Sequence, residues 1–298
     1  MDKRILVPLD GSRFAEAALP LAMTIAASRQ TGLELTTVYE DQPTVAGWSL
    51  SPEQHAASLR TYLETVAGHV AAAATIKVDV ALHSGQPAEV LLHRTGRADI
   101  DLVVMATHGR GTIHRAWLGS VADDVIRHAT VPVVVVRPGD EATTIAPHGP
   151  IDRVVIALDG SKRAERGIRW AMHVAGSRAQ YILLRVVPGP ILGTSTYLPH
   201  AIKETGDAIR QGAAEAGRYL EDVARGYRVD GLAIRTEVVT GVPSAAGILR
   251  FVEREPVDLV TITTHGHGGL RRLLLGSVAD KVVRGASGPL LIAQSTDA

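Results

Sequence analysis

The 298-residue chain is long enough for two domains of ordinary size, and its formal net charge of zero, with no basic block, argues against general nucleic-acid binding. Cysteine is absent, which excludes thiol catalysis, a cysteine-based zinc site and disulfides, and is compatible with a reducing cytoplasm. Hydrophobic residues at 46% supply a core of Val, Ile, Leu and Ala, since Phe numbers only 2; the N-terminus shows no signal-peptide pattern, and no apolar run approaches the roughly 20 residues of a membrane span.

In chain order, Ile5 to Leu9 reads as a buried strand and Asp10-Gly11-Ser12 as a turn. Phe14, Ala17, Ala18, Leu21, Ala22 and Ile25 then fall on one helical face, with Ser12 as N-cap. Leu33 to Tyr39 is a second strand, Glu53 to Ala74 a helix, Lys77 to His83 an alternating strand and Ala88 to Thr95 a helix. A strand at Leu102 to Ala106, a glycine loop, a helix from Val121 to His128 and a strand at Val131 to Val136 complete the first half. Strand-helix alternation of this kind implies a parallel sheet with helices on both faces.

The second half repeats the order: a strand at Val154 to Leu158, the turn Asp159-Gly160-Ser161, a helix from Ala164 to Ala175 and a strand at Tyr181 to Val187. A helix near Ala208 to Arg225 and strands at Ala233 to Val239, Leu259 to Thr263 and Pro289 to Ala293 follow. The stretch Pro138 to Pro150 interrupts regular structure, so domains are expected at 1–140 and 151–298 with a linker at 141–150. Asp10 and Asp159 are offset by 149 residues, but Gly119 and Gly276 by 157; the second half has gained 8 residues, expected in the loop containing Pro188, Pro190 and Pro199.

The two halves share a longer phrase. His108-Gly109, nine residues, then Gly119-Ser120-Val121-Ala122-Asp123 recurs as His265-Gly266, nine residues, then Gly276-Ser277-Val278-Ala279-Asp280. A glycine loop between a strand and a helix start suits a phosphate: unpaired backbone N–H groups point outward, the helix dipole is positive behind them, and glycine lets an anion approach closely. Taken alone, Asp-Gly-Ser after a strand is also a common turn with an N-cap, and a glycine can serve simply to pack helix against strand.

With these motifs both halves resemble universal stress protein domains, and nearly the whole chain resembles a tandem member of that family. The resemblance implies two Rossmann-like (adenine nucleotide alpha hydrolase-like) α/β domains, each a five-stranded mainly parallel sheet with helices on both faces. In the family's nucleotide-binding branch the phosphate loop reads Gly, two residues, Gly, nine residues, then Gly followed by Ser or Thr. Here the first glycine is replaced by Ala106 in one half and by Thr263 in the other, which favours ATP binding in the first half over the second. By the same resemblance Asp10 and Asp159 contact the base or ribose side, and the backbone at Val38 and Val186 recognises adenine. The implied nucleotide-binding residues are Pro8, Leu9, Asp10, Val38, Met105, Ala106, His108, Gly109, Arg110, Gly119, Ser120 and Val121, repeated as Ala157, Leu158, Asp159, Val186, Thr263, His265, Gly266, Gly276, Ser277 and Val278.

Metal ligation is discounted, because neither His108 nor His265 has a second histidine at helical ligand spacing; His55, His69, His83 and His93 read as solvent-facing. Arg110, Arg115, Arg271 and Arg272 are candidate phosphate donors. No Walker loop or nucleophile elbow is present, and none of the five lysines lies in a glycine loop, so no catalytic residue is assigned and ATP hydrolysis is at most weak. Mg²⁺ would arrive with the nucleotide. The expected function is therefore an ATP-binding, cytoplasmic, nucleotide-dependent regulator of a stress response. The alternatives are a dimeric interaction module of the same fold that binds no nucleotide, and a slow ATPase. The last strand of each half is apolar, and in this family it lies at a sheet edge and mediates pairing, which implies intrachain domain pairing and a homodimer of the full chain.

Overall fold

A computed structural model of the chain describes residues 3–40, 51–107, 118–139, 144–189, 199–228, 231–264 and 275–294. They belong to two compact units that divide between Pro150 and Ile151.

The first unit runs β1 (Arg4–Pro8), α1 (Arg13–Glu16), α2 (Leu19–Arg29), β2 (Gly32–Tyr39), α3 (Pro52–Ala73), β3 (Val78–Ser84), α4 (Pro87–Thr95), β4 (Ile100–Ala106), α5 (Ser120–His128) and β5 (Val133–Val136). Its strand order is β3-β2-β1-β4-β5, with every neighbouring pair parallel. Ile5, Leu6 and Val7 alternate across β1 and all have no exposure, so both faces of the central strand are covered. Leu59, Leu63, Val66 and Val70 form the buried stripe of α3, at the spacing an amphipathic helix requires.

The helix read from Phe14 through Ile25 is broken in two. Ser12 caps α1 by accepting from the Ala15 N–H at 3.3 Å, but Pro20 supplies no N–H to continue the ladder and sits instead in the first turn of α2. Phe14, placed on the apolar face by its spacing, is 40% exposed.

The second unit runs β6 (Arg153–Ala157), α6 (Lys162–Ala175), β7 (Gln180–Val187), α7 (Pro199–Arg228), β8 (Ala233–Thr240), α8 (Ser244–Arg254), β9 (Leu259–Thr263), α9 (Ser277–Gly285) and β10 (Leu290–Ala293). Its order, β8-β7-β6-β9-β10, repeats that of the first unit, again with parallel pairs. Proline sets the start of the last strand in both units. The Pro132 carbonyl accepts from Val103 and the Pro289 carbonyl from Val260, and β5 and β10 begin at the next residue that has a donor.

The extra eight residues of the second half lie in a helix, contrary to their expected place in a loop. α7 has 30 residues against 22 in α3, while the connection leading into it is 11 residues against 12. Pro199 starts the helix, a position where a missing N–H costs nothing.

Candidate functional site

In each unit the chain leaves the central strand to one side and returns on the other. β1 lies between β2 and β4, so the segments that follow β1 and β4 emerge side by side at the carboxyl ends of adjacent parallel strands. This is the crevice where ligands bind in open α/β sheets. β6, between β7 and β9, creates the same position in the second unit.

Pro8 ends β1, and Leu9, 3% exposed, continues the ladder by donating to the Thr36 carbonyl at 2.8 Å; Leu158, beyond Ala157 at the end of β6, donates likewise to Leu184 at 2.8 Å. Asp10 Oδ1 accepts from the Ser12 N–H at 2.9 Å and from the Ser12 hydroxyl at 2.6 Å, and Asp159 Oδ1 accepts from the Ser161 N–H at 2.9 Å. Between each aspartate and serine stands a glycine with φ of +80° (Gly11) or +92° (Gly160), a backbone that L side chains disfavour. The Asp-Gly-Ser motif thus builds a helix-capping turn in both units and holds a carboxylate at the strand end.

Met105 and Ala106 are buried on β4, in register with Val135 and Val136. The next residue, Thr107, accepts from the Gly119 N–H at 2.8 Å, which brings the end of β4 against the start of α5. Gly119 is the N-cap of α5, with φ −66° and ψ 152° and no side-chain capping bond, and Ser120 and Val121 open the helix. Gly276 occupies the same position before α9, with φ −54° and ψ 149°, again without a side-chain cap; Ser277 and Val278 follow. Ser12 and Ser161, by contrast, do cap their helices. Gly119 has a backbone that lies in an ordinary region, and among the described residues an added Cβ would meet only the Thr107 carbonyl, at 3.4 Å. A glycine that no described neighbour requires, at an N-terminus whose side chain supplies no cap, fits close approach by an external acceptor.

The second unit differs in detail. Thr263, where the phosphate-loop pattern has its first glycine, turns its side chain onto α6: its hydroxyl donates to the Ala164 carbonyl at 3.5 Å and would lie 2.9 Å from a Cβ on Gly167. Val186 packs against α8, where a Cβ on Gly247 would fall 2.7 Å from Val186 Cγ1. Val38, its counterpart in β2, stands in register with His83 of β3. His108, Gly109, Arg110, Arg115, His265, Gly266, Arg271 and Arg272 lie outside the described residues.

Sequence reasoning missed two features. His83 is half-buried, contrary to the solvent-facing expectation: its Nε2 is buried without a hydrogen-bond partner among the described residues, and it lines a cleft of about 560 Å³ with Ser84, Glu89, Val90 and His93. In the second unit the guanidinium of Arg185 lies over the Tyr219 ring, 4.9 Å from its centroid. Burial, then the adjacent Glu165 carboxylate, pushes the Tyr219 hydroxyl above the usual phenol range. Comparing Arg185 with Thr37, at the same position of the repeat, is the signal that would have exposed the second feature.

Fold and crevice together define a duplicated α/β protein of the Rossmann-like kind, with a crevice at the topological switch point of each unit. A model of the universal stress protein family matches residues 1–137 and 150–294, and the chain belongs to that family. It is 26% identical over 311 residues to the universal stress protein Rv2005c of Mycobacterium tuberculosis, covering 98% of this chain and 97% of that protein. To the universal stress protein MJ0531 of Methanocaldococcus jannaschii it is 31% identical over 147 residues, covering 47% of this chain and 80% of that protein. The crystal structure of a universal stress protein from Archaeoglobus fulgidus aligns over 98% of each chain with a TM-score of 0.66 at 18% identity, a likeness of fold. None of the described helices is long and apolar enough to cross a membrane.

Proposed function

We propose that this universal stress protein binds ATP in its first half and acts through its nucleotide state as a regulator of a stress response. The observation that carries the proposal is Gly119, a glycine that neither its backbone nor its packing among the described residues requires, at the start of α5, whose N-cap supplies no side-chain bond. The phosphates would lie on this helix start. Asp10, held at the end of the neighbouring β1 by the Ser12 turn, would accept from a ribose hydroxyl or the adenine amino group.

The described residues contain no group of three or more His, Asp or Glu able to hold a metal ion. Mg²⁺ would therefore be held mainly by the phosphates it accompanies. The lysines stand at positions 3, 77, 162, 203 and 281, so none lies in a glycine loop to neutralise a γ-phosphate, which supports binding over turnover. Mass spectrometry of ligand released from freshly purified protein tests the proposal, with ATP the expected mass. A protein that carries no nucleotide and gives no heat when titrated with ATP contradicts it.

A further inference from the structure

The duplication supplies an internal control for every residue around the crevice, and one residue stands out against it. Tyr62 of α3 donates to Glu16 of α1 at 2.9 Å, and Tyr219 of α7 donates to Glu165 of α6 at 3.2 Å. Both units thus tie the long helix to the helix after the Asp-Gly-Ser turn by the same bond, which belongs to the scaffold. The last positions of β2 and β7 also correspond, since Tyr39 and Val187 each accept from a glycine N–H, Gly85 and Gly241, at 2.9 and 3.0 Å. Two residues before those acceptors the units diverge. Thr37 of β2 is short and turns back, its hydroxyl donating to the Leu9 carbonyl at 2.8 Å. Arg185 of β7 reaches out.

Its destination is specific. The guanidinium stacks on Tyr219, and its Nη1 and Nη2 atoms each stand 2.9 Å from where a Cβ on Gly160 would be. Gly160 follows Asp159, and Arg185 precedes Val186. The side chain therefore crosses from the strand that carries one nucleoside-binding position to the turn that carries the other. A planar cation laid on an aromatic ring is held by the ring quadrupole and by the apolar stem it buries. Adenine and ribose would have to displace it, whereas Thr37, at its place in the first unit, keeps its short side chain on the Leu9 carbonyl.

We propose that Arg185 is a specificity-determining residue that closes the nucleoside end of the second crevice, so that each chain binds a single adenine nucleotide, in its first half. This inference rests on the nucleotide-binding proposal above. Arg185→Thr copies the residue that the first unit already carries at this position, a substitution compatible with the fold; Arg185→Ser is the second variant.

Equilibrium dialysis of the full chain against ATP reads the stoichiometry. The expected result is one ATP per chain for the wild type, none for Gly119→Val, two for Arg185→Thr or Arg185→Ser, and one for Gly119→Val combined with Arg185→Thr. Two ATP per wild-type chain overturns the role of Arg185 while leaving first-half nucleotide binding intact, whereas one ATP still bound by Gly119→Val overturns both this inference and the placement of ATP at Gly119. One ATP bound by both Arg185 variants, each shown folded by circular dichroism, overturns it as well. If neither the wild type nor any variant binds ATP, the nucleotide-binding proposal itself falls, and this inference with it.

Discussion

The Nε of Arg94 donates to Oε1 of Glu34 at 2.8 Å, and both side chains are buried. They anchor a charge cluster at the amino ends of the first unit's strands, opposite the crevice. Arg4, which opens β1, lies 3.2 Å from Glu34 and 3.1 Å from Asp79 and also pairs with Asp99; Arg94 lies 3.4 Å from Asp99. In the repeat, the position of Glu34 is taken by the fully apolar Ile182.

Removing one member should strand its partners in a dry environment. Glu34→Leu is expected to destabilise the protein by about 3–5 kcal/mol, whereas Glu34→Leu with Arg94→Met should recover most of that loss, since apolar replacement of a whole buried pair is often neutral. Chemical denaturation of the two variants checks this. ATP affinity should be unchanged in both, because the cluster lies at the far end of the sheet from Asp10 and Gly119.

Asp99 gives that cluster a pH dependence. Burial works to raise its pKa, but the hydrogen bond from Arg4 and the charges of Arg94 and Arg4 outweigh it, holding the carboxyl down at about 2 from an ordinary 3.8. A group depressed in the folded state stabilises fully above its unfolded pKa, and that contribution fades as pH falls from about 4 to about 2. Thermal melts across this window should show an acid slope that Asp99→Asn reduces. An unchanged slope would remove Asp99 from the acid response.

Two helical glycines should respond oppositely to alanine. Gly217 in α7 has nothing among the described residues within 4 Å of a would-be Cβ, so Gly217→Ala should stabilise by about 0.8–1 kcal/mol through helix propensity. Gly247 in α8 faces Val186 Cγ1 at 2.7 Å and Cγ2 at 2.9 Å, and a β-branched side chain on a strand cannot turn away cheaply. Gly247→Ala should therefore lose about 1–3 kcal/mol to overpacking. Melting temperatures of the two variants decide.

Asp10 serves its turn and, on the present account, the ligand. Asp10→Asn keeps an oxygen able to accept from the Ser12 N–H, so the turn and the melting temperature should survive. The lost charge should weaken ATP binding about tenfold or more, the size of one charge-assisted hydrogen bond. Asp159→Asn should leave ATP affinity unchanged. Calorimetric titration of both variants separates the two roles.

Much of this was legible from local pattern. The β-branched runs, the Asp-Gly-Ser turns and the repeated Gly-Ser helix starts each follow from interactions within a few residues, and they mark the succession of strands and helices and the segments that meet at the crevice. The break at Pro20 was hidden because apolar spacing continues across it from Ala18 to Leu21. The lengthening of α7 was hidden because Pro188, Pro190 and Pro199 signal a loop, although the last of them begins the helix. Helix α8 was not read at all. The charge cluster assembles residues as far apart as Arg4 and Asp99, and only the single Glu34 within an otherwise uncharged strand hinted at it. Arg185 is similar: its partner Tyr219 lies 34 positions on, and only the comparison of halves makes it conspicuous.

The central claim is that ATP sits against Gly119, and isothermal titration of ATP into wild-type and Gly119→Val protein tests it most directly. Because among the described residues a Cβ there would meet only the Thr107 carbonyl, at ordinary contact distance, the valine protein should stay folded, melting somewhat lower for its poorer N-cap, while its ATP heat disappears by steric exclusion. Ser120→Ala should bind more weakly by about 1.5–3 kcal/mol. Unchanged ATP affinity in a well-folded Gly119→Val protein would contradict the account.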